Sequence, residues 1–139
     1  MKDVWHNVIS KACDNNHIVL APSLKHYLLL TITHYQAAEN LHDELLGGNL
    51  LKADTLPSVK KNALLRETGD RCLIMAGFFP YKHEAMHVSK AYFIQVGKTA
   101  YRHIALDRNN ERFDGELYEQ LDHNFLTLVY VIRQLNNLQ

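Results

Sequence analysis

Apolar residues recur at every third or fourth position along most of this chain, and this spacing constrains the fold more than any other feature. It places apolar side chains on one face of an α-helix, whereas a half-buried strand needs strict alternation. No alternating stretch is long enough to build a sheet. The clearest helical run consists of Phe113, Leu117, Leu121, Phe125, Leu128, Ile132 and Leu135. The sequence therefore predicts an all-α fold with bundle-like packing of five or six helices.

Prolines and glycines predict where these helices begin and end. Proline fits the first turn of a helix, and glycine often follows the last turn. The predicted boundaries are Pro22 with Ser23 as N-cap of the second helix, Gly47 and Gly48 after a weaker helix at 37–46, Pro57 and Pro80 around the fourth helix, and ranges 88–104 and 113–135 for the last two helices. All of them are expected in a single domain, residues 1–139, because a chain of this length has room for one core.

Charge and composition argue against several classes of function. Fifteen basic residues balance fifteen acidic ones, so the chain lacks the positive excess that binds nucleic acid or an anionic membrane. Neither a signal-peptide pattern at Met1 to His6 nor a membrane-spanning run is present, since the longest apolar run, Leu73 to Phe79, is far shorter than the roughly 20 residues required. Cys13 and Cys72 fall on apolar helix faces, where buried, reduced cysteines are expected. We therefore expect a cytoplasmic protein without nucleic-acid or membrane partners.

Three glycines lie inside predicted helices, where each costs about 1 kcal/mol relative to alanine. Gly69 and Gly77 are eight residues apart, and Gly97 precedes Ala100 by three, so each pair lies on a similar side of its helix. Small residues allow two helix backbones to approach closely. We therefore expect these four residues at a close crossing of the fourth and fifth helices, with a cap or a kink as the alternative.

Two pairs of charged residues surround the first of these glycines. Glu67 and Arg71 are four residues apart in the acid-then-base order that stabilises a helix, and Arg66 and Asp70 form a reversed pair. Such clusters are typical of a solvated helix face. The sequence therefore predicts that all four side chains are solvated, with an internal charge network or an interface as the alternative.

Residues 65 to 101 combine glycines, aromatic residues and charges at fixed intervals. The pattern consists of Leu65-Arg66-Glu67-Thr68-Gly69-Asp70, Leu73, Gly77-Phe78-Phe79, Tyr92-Phe93, Gly97 and Ala100-Tyr101. In these residues the chain resembles an uncharacterised family of small all-helical bacterial proteins. The resemblance implies an all-helical fold and a bacterial origin, and it implies no catalytic residues.

The segment His83-Glu84-Ala85-Met86-His87 matches the pattern of zinc proteases. On a helix, His83 and His87 would bind zinc from one face, and Glu84 would act as the general base. Pro80 lies three residues before the segment, which places it in a loop or a first helical turn, and no third ligand has a recognised spacing. We therefore expect no metal at these residues and no catalytic role for Glu84.

A second metal pattern involves two Glu-x-x-His pairs. Glu39 with His42, and Glu84 with His87, resemble the paired ligands of carboxylate-bridged di-iron bundles, which also need two single glutamates. Glu67 is a candidate for one of them, but its pairing with Arg71 indicates a position away from the core. We therefore expect neither iron nor zinc, and no cofactor.

The function that the sequence favours is a non-catalytic helical interaction module that self-associates, most simply as a two-fold homodimer, or that binds a protein partner. Two helices are apolar on more than one face, which indicates that another chain covers part of them. Val129, Tyr130 and Ile132 are the predicted interface residues. The alternatives are a metal-dependent enzyme built on His83 and His87, and a small-molecule sensor with its pocket between helices.

Overall fold

The computed structural model describes residues 2–35, 46–78, 89–110 and 112–137. Within these ranges the protein is all-α, with seven helices and no strand. The helices are α1 (Lys2–Asn15), α2 (Pro22–Tyr35), α3 (Gly47–Ala53), α4 (Ser58–Phe78), α5 (Lys90–Leu106), α6 (Gly115–His123) and α7 (Phe125–Asn137). They pack around a shared hydrophobic core. The predicted all-α bundle is confirmed, but the expected number of five or six helices is too low.

A break at Asn124 accounts for one of the additional helices. Asn124 has φ −102° and ψ 13°, and its side-chain amide donates a hydrogen bond of 2.9 Å to the carbonyl of Gln120. The chain therefore forms α6 and α7 where the apolar period predicts one helix. Leu121 and Phe125, on either side of the break, are both fully buried. The spacing of apolar residues could not reveal this break, because the apolar faces of both helices pack against the same core.

Gly47 and Gly48 begin helix α3, which corrects the prediction that they end a helix. The N–H of Gly47 donates a hydrogen bond of 2.9 Å to the hydroxyl of Tyr92 on α5. A Cβ atom at Gly47 would overlap that hydroxyl group. Gly47 is thus required by a close contact between α3 and α5, not by a helix C-terminus. The weaker helix predicted at 37–46 lies outside the described residues except for its last residue.

The prolines that begin helices lie close to their predicted positions. Pro22 is the first residue of α2, and the Lys25 N–H donates to the carbonyl of Ala21 at 3.0 Å. Ser23 is therefore inside the first turn and is not the N-cap. Pro57 directly precedes α4, and its carbonyl accepts a hydrogen bond of 2.7 Å from the Lys61 N–H.

Helix α4 is the central element of the bundle. It packs against α5 over most of its length and also contacts α3 and α7. Between Thr68 and Gly77 every residue except Arg71 is buried. A helix that neighbours cover on several sides needs apolar or small residues on more than one face. This explains why its sequence lacks a polar face in that segment.

The packing of neighbouring helices also covers part of the predicted interface. Val129 and Ile132 on α7 are 2% and 0% exposed, because α7 packs between α1 and α4. These two side chains belong to the core of the chain and are not exposed at its surface. Tyr130 is 46% exposed and is the one predicted interface residue at the surface. The apolar character of α7 is thus largely satisfied within the chain.

Glycines allow the helices to approach α4 closely. A Cβ atom at Gly97 on α5 would lie 2.9 Å from the Cβ of Cys72 and 2.5 Å from the Cζ of Phe125. Ala100, one turn later, is fully buried. Gly77 differs from its prediction, because a Cβ atom there would overlap Ile132 of α7 rather than a residue of α5. The glycines therefore serve two crossings of α4, one with α5 and one with α7.

We expect Gly97→Leu to lower the free energy of unfolding by about 1–3 kcal/mol, because the added side chain has no space between Cys72 and Phe125. Gly97→Ala should also be destabilising, but less so. Urea denaturation measures both changes.

Gly48→Ala is the matched control. Gly48 is also helical, but nothing lies within 4 Å of a Cβ atom built there. This change should stabilise the protein by as much as about 1 kcal/mol, the helix propensity of alanine over glycine. Equal stability of Gly97→Leu and the wild type would place the close crossing elsewhere.

Candidate functional site

A carboxylate lies inside the helical bundle. Asp70 on α4 is 8% exposed, and its Oδ1 atom accepts two hydrogen bonds. The hydroxyl of Tyr27 on α2 donates one at 2.5 Å, and the hydroxyl of Tyr101 on α5 donates the other at 2.7 Å. Hydrogen bonds to a charged acceptor are stronger than those between neutral groups. One oxygen atom therefore connects three helices.

Tyr118 on α6 completes this group. Its hydroxyl oxygen lies 3.4 Å from that of Tyr27, and its side chain is buried. The Tyr118 ring makes an edge-on contact with Tyr27 and a tilted contact with Tyr101, both at 5.7 Å between ring centroids. We call Asp70 and these three tyrosines the carboxylate–tyrosine cluster. It joins α2, α4, α5 and α6.

The cluster can take up one proton near neutral pH. Burial raises the pKa of Asp70 to about 6, although the hydrogen bonds from Tyr27 and Tyr101 and the charge of Arg66 lower it. Burial also raises the pKa of Tyr118 to about 12 and raises the pKa values of the other two tyrosines. The tyrosines therefore remain hydrogen-bond donors, and Asp70 is the group of the cluster that titrates.

The buried position of Asp70 corrects the prediction of a solvated pair with Arg66. Only the other predicted pair forms, with 3.4 Å between Arg71 Nη2 and Glu67 Oε1. A signal in the sequence was available, since Asp70 precedes Leu73 by three residues and Gly77 by seven, which places it on their face of the helix. The spacing of four residues between Arg66 and Asp70 instead indicated a surface ion pair.

Gly69 allows the cluster to form. A Cβ atom at this residue would lie 2.5 Å from Cε1 of Tyr101. The tyrosine ring therefore packs directly on the backbone of α4, and its hydroxyl reaches the carboxylate of the next residue. The predicted role of Gly69 at a close approach of α4 and α5 agrees with this geometry.

An open groove of about 470 Å³ lies between α4 and α6, beside the cluster. We call it the α4–α6 groove. Three residues of α4, two of α6 and the segment before α6 line it: Val59, Ala63, Arg66, Arg112, Phe113, Asp114, Leu117 and Tyr118. Tyr118 thus belongs to both the groove and the cluster. The groove walls contain apolar, aromatic and charged side chains together.

Hydrogen bonds hold the segment before α6 in place. The Asn110 side-chain oxygen accepts from the backbone N–H groups of Arg112 at 3.1 Å and Phe113 at 2.8 Å. Asp114 is the N-cap of α6, and its carboxylate accepts from the N–H groups of Glu116 and Leu117. Such side-chain bonds fix turns and helix starts. They determine where the aromatic and basic side chains of this segment enter the groove.

Arg66 lies over the ring of Phe113, with 5.7 Å between the guanidinium carbon and the ring centroid. This contact joins α4 to the segment before α6. A cation over an aromatic face contributes about 0.5–1 kcal/mol at an exposed site. It also restrains the guanidinium group at the groove.

A separate ion-pair group lies where α5 meets the end of α6. Asp122 is paired with Arg102 at 2.9 Å and with Lys98 at 3.3 Å. Burial opposes ionisation of Asp122, but the hydrogen bonds from Arg102 and Lys98 outweigh it and lower the pKa of Asp122. All three side chains have partners, so we assign this group a structural role.

The residues of the two metal patterns, at which we expect no metal, lie outside the described residues: Glu39, His42, His83, His87 and the candidate general base Glu84. Among the residues with described positions, no three His, Cys, Asp or Glu side chains lie together as a metal site. Cys13 and Cys72 are free and buried, as predicted. No helix in the described ranges is both long enough and apolar enough to cross a membrane.

Comparisons with protein-family models, with curated proteins and with solved structures each found no match to this chain. The resemblance to a bacterial family stays a prediction. The argument for function therefore depends on the carboxylate–tyrosine cluster and the α4–α6 groove.

Asp70→Asn should reveal the titration of the cluster. Asparagine keeps an oxygen that accepts from both tyrosines and removes the ionisation. The folded pKa of about 6 exceeds the ordinary value of 3.8, so the folded protein binds this proton more tightly than the unfolded chain. The stabilisation that this proton contributes to the folded protein is complete below about pH 4 and is lost as the pH rises through about 6. Relative to Asp70→Asn, the wild type should lose up to about 3 kcal/mol between about pH 4 and pH 7.

Urea denaturation of both proteins at several pH values measures this difference. Asp54→Asn, at an exposed position after α3, is the matched control and should follow the wild type. A difference between Asp70→Asn and the wild type that does not change with pH would contradict the raised pKa of Asp70.

Proposed function

We propose that this protein is a helical ligand-binding module whose small-molecule ligand occupies the α4–α6 groove. The observation that carries the proposal is the position of Tyr118, which forms a wall of the groove and belongs to the buried carboxylate–tyrosine cluster. The groove volume of about 470 Å³ is within the range of small-molecule sites. Mixed apolar and charged walls are also typical of such sites.

The groove is suited to binding because its walls are held before a ligand arrives. Asn110 and Asp114 fix the backbone beside α6, and the ring of Phe113 restrains Arg66. A site that is already ordered loses less side-chain entropy on binding. This preorganisation favours a specific ligand over a passive surface cleft.

Ligand binding can affect the rest of the fold through Tyr118, which belongs to both the groove and the carboxylate–tyrosine cluster. A ligand that displaces the ring of Tyr118 changes its contacts with Tyr27 and Tyr101. Those two residues hold α2 and α5 to the carboxylate on α4. Binding in the groove therefore acts on the hydrogen bonds that join four helices, as expected of a sensor domain.

Amide chemical shifts measured during titration with benzyl alcohol, benzoate and phenyl phosphate test this proposal. We expect at least one probe to shift the amides of Ala63, Phe113, Leu117 and Tyr118. Ala63→Trp should fill the groove and abolish the shifts. Ala91→Trp changes another exposed helical alanine, outside the groove, and should bind as the wild type does. No localised shift with any probe would refute the proposed function.

Self-association is a second candidate, and the exposed part of α7 favours it. Leu126 and Tyr130 are 60% and 46% exposed and lie four residues apart, on one side of the helix. They replace Val129 and Ile132 as the side chains available to a second copy of the chain.

We also propose a cytoplasmic location, because free buried cysteines are compatible with a reducing compartment.

Light scattering over a concentration series tests the homodimer. We expect the mass to rise toward that of a dimer and Leu126→Glu to keep the protein monomeric. Val19→Glu is the matched control, because Val19 is exposed between α1 and α2, and it should not change the mass. A monomeric wild type at high concentration would remove self-association and leave the ligand-binding proposal intact.

A further inference from the structure

We infer that the ligand of the α4–α6 groove is a small organic anion, with a carboxylate or phosphate group held by Arg66 and Arg112 and an apolar body against Val59 and Leu117. This inference rests on the proposed function and specifies the chemical class of its ligand. It depends on charge, on donor geometry and on the apolar walls of the groove.

The charge of the groove favours an anion. Two arginines line it against one acidic residue, Asp114. The Asp114 carboxylate already accepts from two backbone N–H groups at the start of α6, where the helix dipole also offsets its charge. Among the described residues, no carboxylate forms an ion pair with Arg66 or Arg112. Both arginines therefore have donors available for a ligand.

The chemistry of the two arginines favours carboxylate and phosphate groups. A guanidinium group presents parallel N–H donors that match the oxygen atoms of these anions. Arg66 is restrained over Phe113 and Arg112 is fixed at its backbone by Asn110. Both side chains line the same groove, so one charged group bound there can meet donors from each of them.

The remaining walls favour a ligand with an apolar body. Val59 is 50% exposed although it is a large apolar side chain, and it lies in the groove with Ala63 and Leu117. A free inorganic anion would leave these side chains in water. A bound ring or alkyl group would remove this apolar surface from water, which favours binding. The groove therefore fits an anionic head with an attached apolar group.

Isothermal titration of the full chain at constant ionic strength tests the inference. The probes are benzoate, phenyl phosphate, inorganic phosphate, benzyl alcohol and benzylamine. We expect benzoate or phenyl phosphate to bind about tenfold more tightly than benzyl alcohol, because charge-assisted hydrogen bonds are stronger than neutral ones. Inorganic phosphate should bind more weakly than phenyl phosphate, and benzylamine should not bind.

Variants assign the effect to the groove. Arg66→Gln and Arg112→Gln should each lose about tenfold in affinity for the anionic probes and lose less in affinity for benzyl alcohol. Arg66→Lys keeps the charge without the paired donors and should give an intermediate loss. Arg108→Gln is the matched control, since Arg108 is an exposed arginine of the same connection that does not line the groove. Thermal midpoints of all variants show that each is folded.

The possible outcomes separate this inference from the proposed function. Benzyl alcohol bound as tightly as the anions would overturn the anionic class and leave the groove as a ligand site. Equal binding of inorganic and phenyl phosphate would overturn the apolar body. An equal loss in Arg108→Gln would show general attraction of anions to the surface and overturn the assigned arginines. No binding of any probe would contradict the proposed function as well.

Discussion

The structure depends on the burial of one carboxylate. Asp70 occupies the centre of α4, and its Oδ1 atom holds the hydroxyls of Tyr27 and Tyr101. An ionised carboxylate in the interior is stable only when hydrogen bonds replace the water that it loses. Tyr27 and Tyr101 come from different helices, so satisfying this one group positions α2 and α5 against α4. Tyr118 on α6 joins the group through the hydroxyl of Tyr27.

Close helix packing and the buried polar group depend on each other. Gly69 leaves the space in which the ring of Tyr101 lies against α4, and that position brings its hydroxyl to Asp70. Gly97, one turn before Tyr101 on α5, meets Cys72 and so sets the separation of the two helices at the same level. The glycines lower helix propensity, but they make both the crossing and the hydrogen bond possible.

The sequence predicted the helices well and the candidate site poorly, for physical reasons. The spacing of apolar residues and the positions of prolines reflect local preferences of the chain, and they predicted α4 and α5. The break at Asn124 does not interrupt the apolar spacing, so it was not predicted. Asp70 was assigned to solvent because charges four apart usually form surface pairs. Its partners are 43 and 31 residues away in the chain, and only the tertiary fold brings them together. The groove has no sequence signal beyond the turn at Asn110 and the cap at Asp114, because α4 supplies its other wall.

The cluster and the groove are electrostatically linked through Arg66. This residue precedes Asp70 by one helical turn, and its charge lowers the pKa of Asp70. The charged and titratable groups that act on the carboxylate are Arg66, Glu67, Tyr35 and the three tyrosines of the cluster. An anion bound at Arg66 would offset the one positive charge among them and so favour protonation of Asp70. Thermodynamic linkage is reciprocal, so protonation of the carboxylate would strengthen anion binding by the same factor. Because burial raises the pKa of Asp70 to about 6, this coupling would act around that pH, where a carboxylate with an ordinary pKa is already ionised.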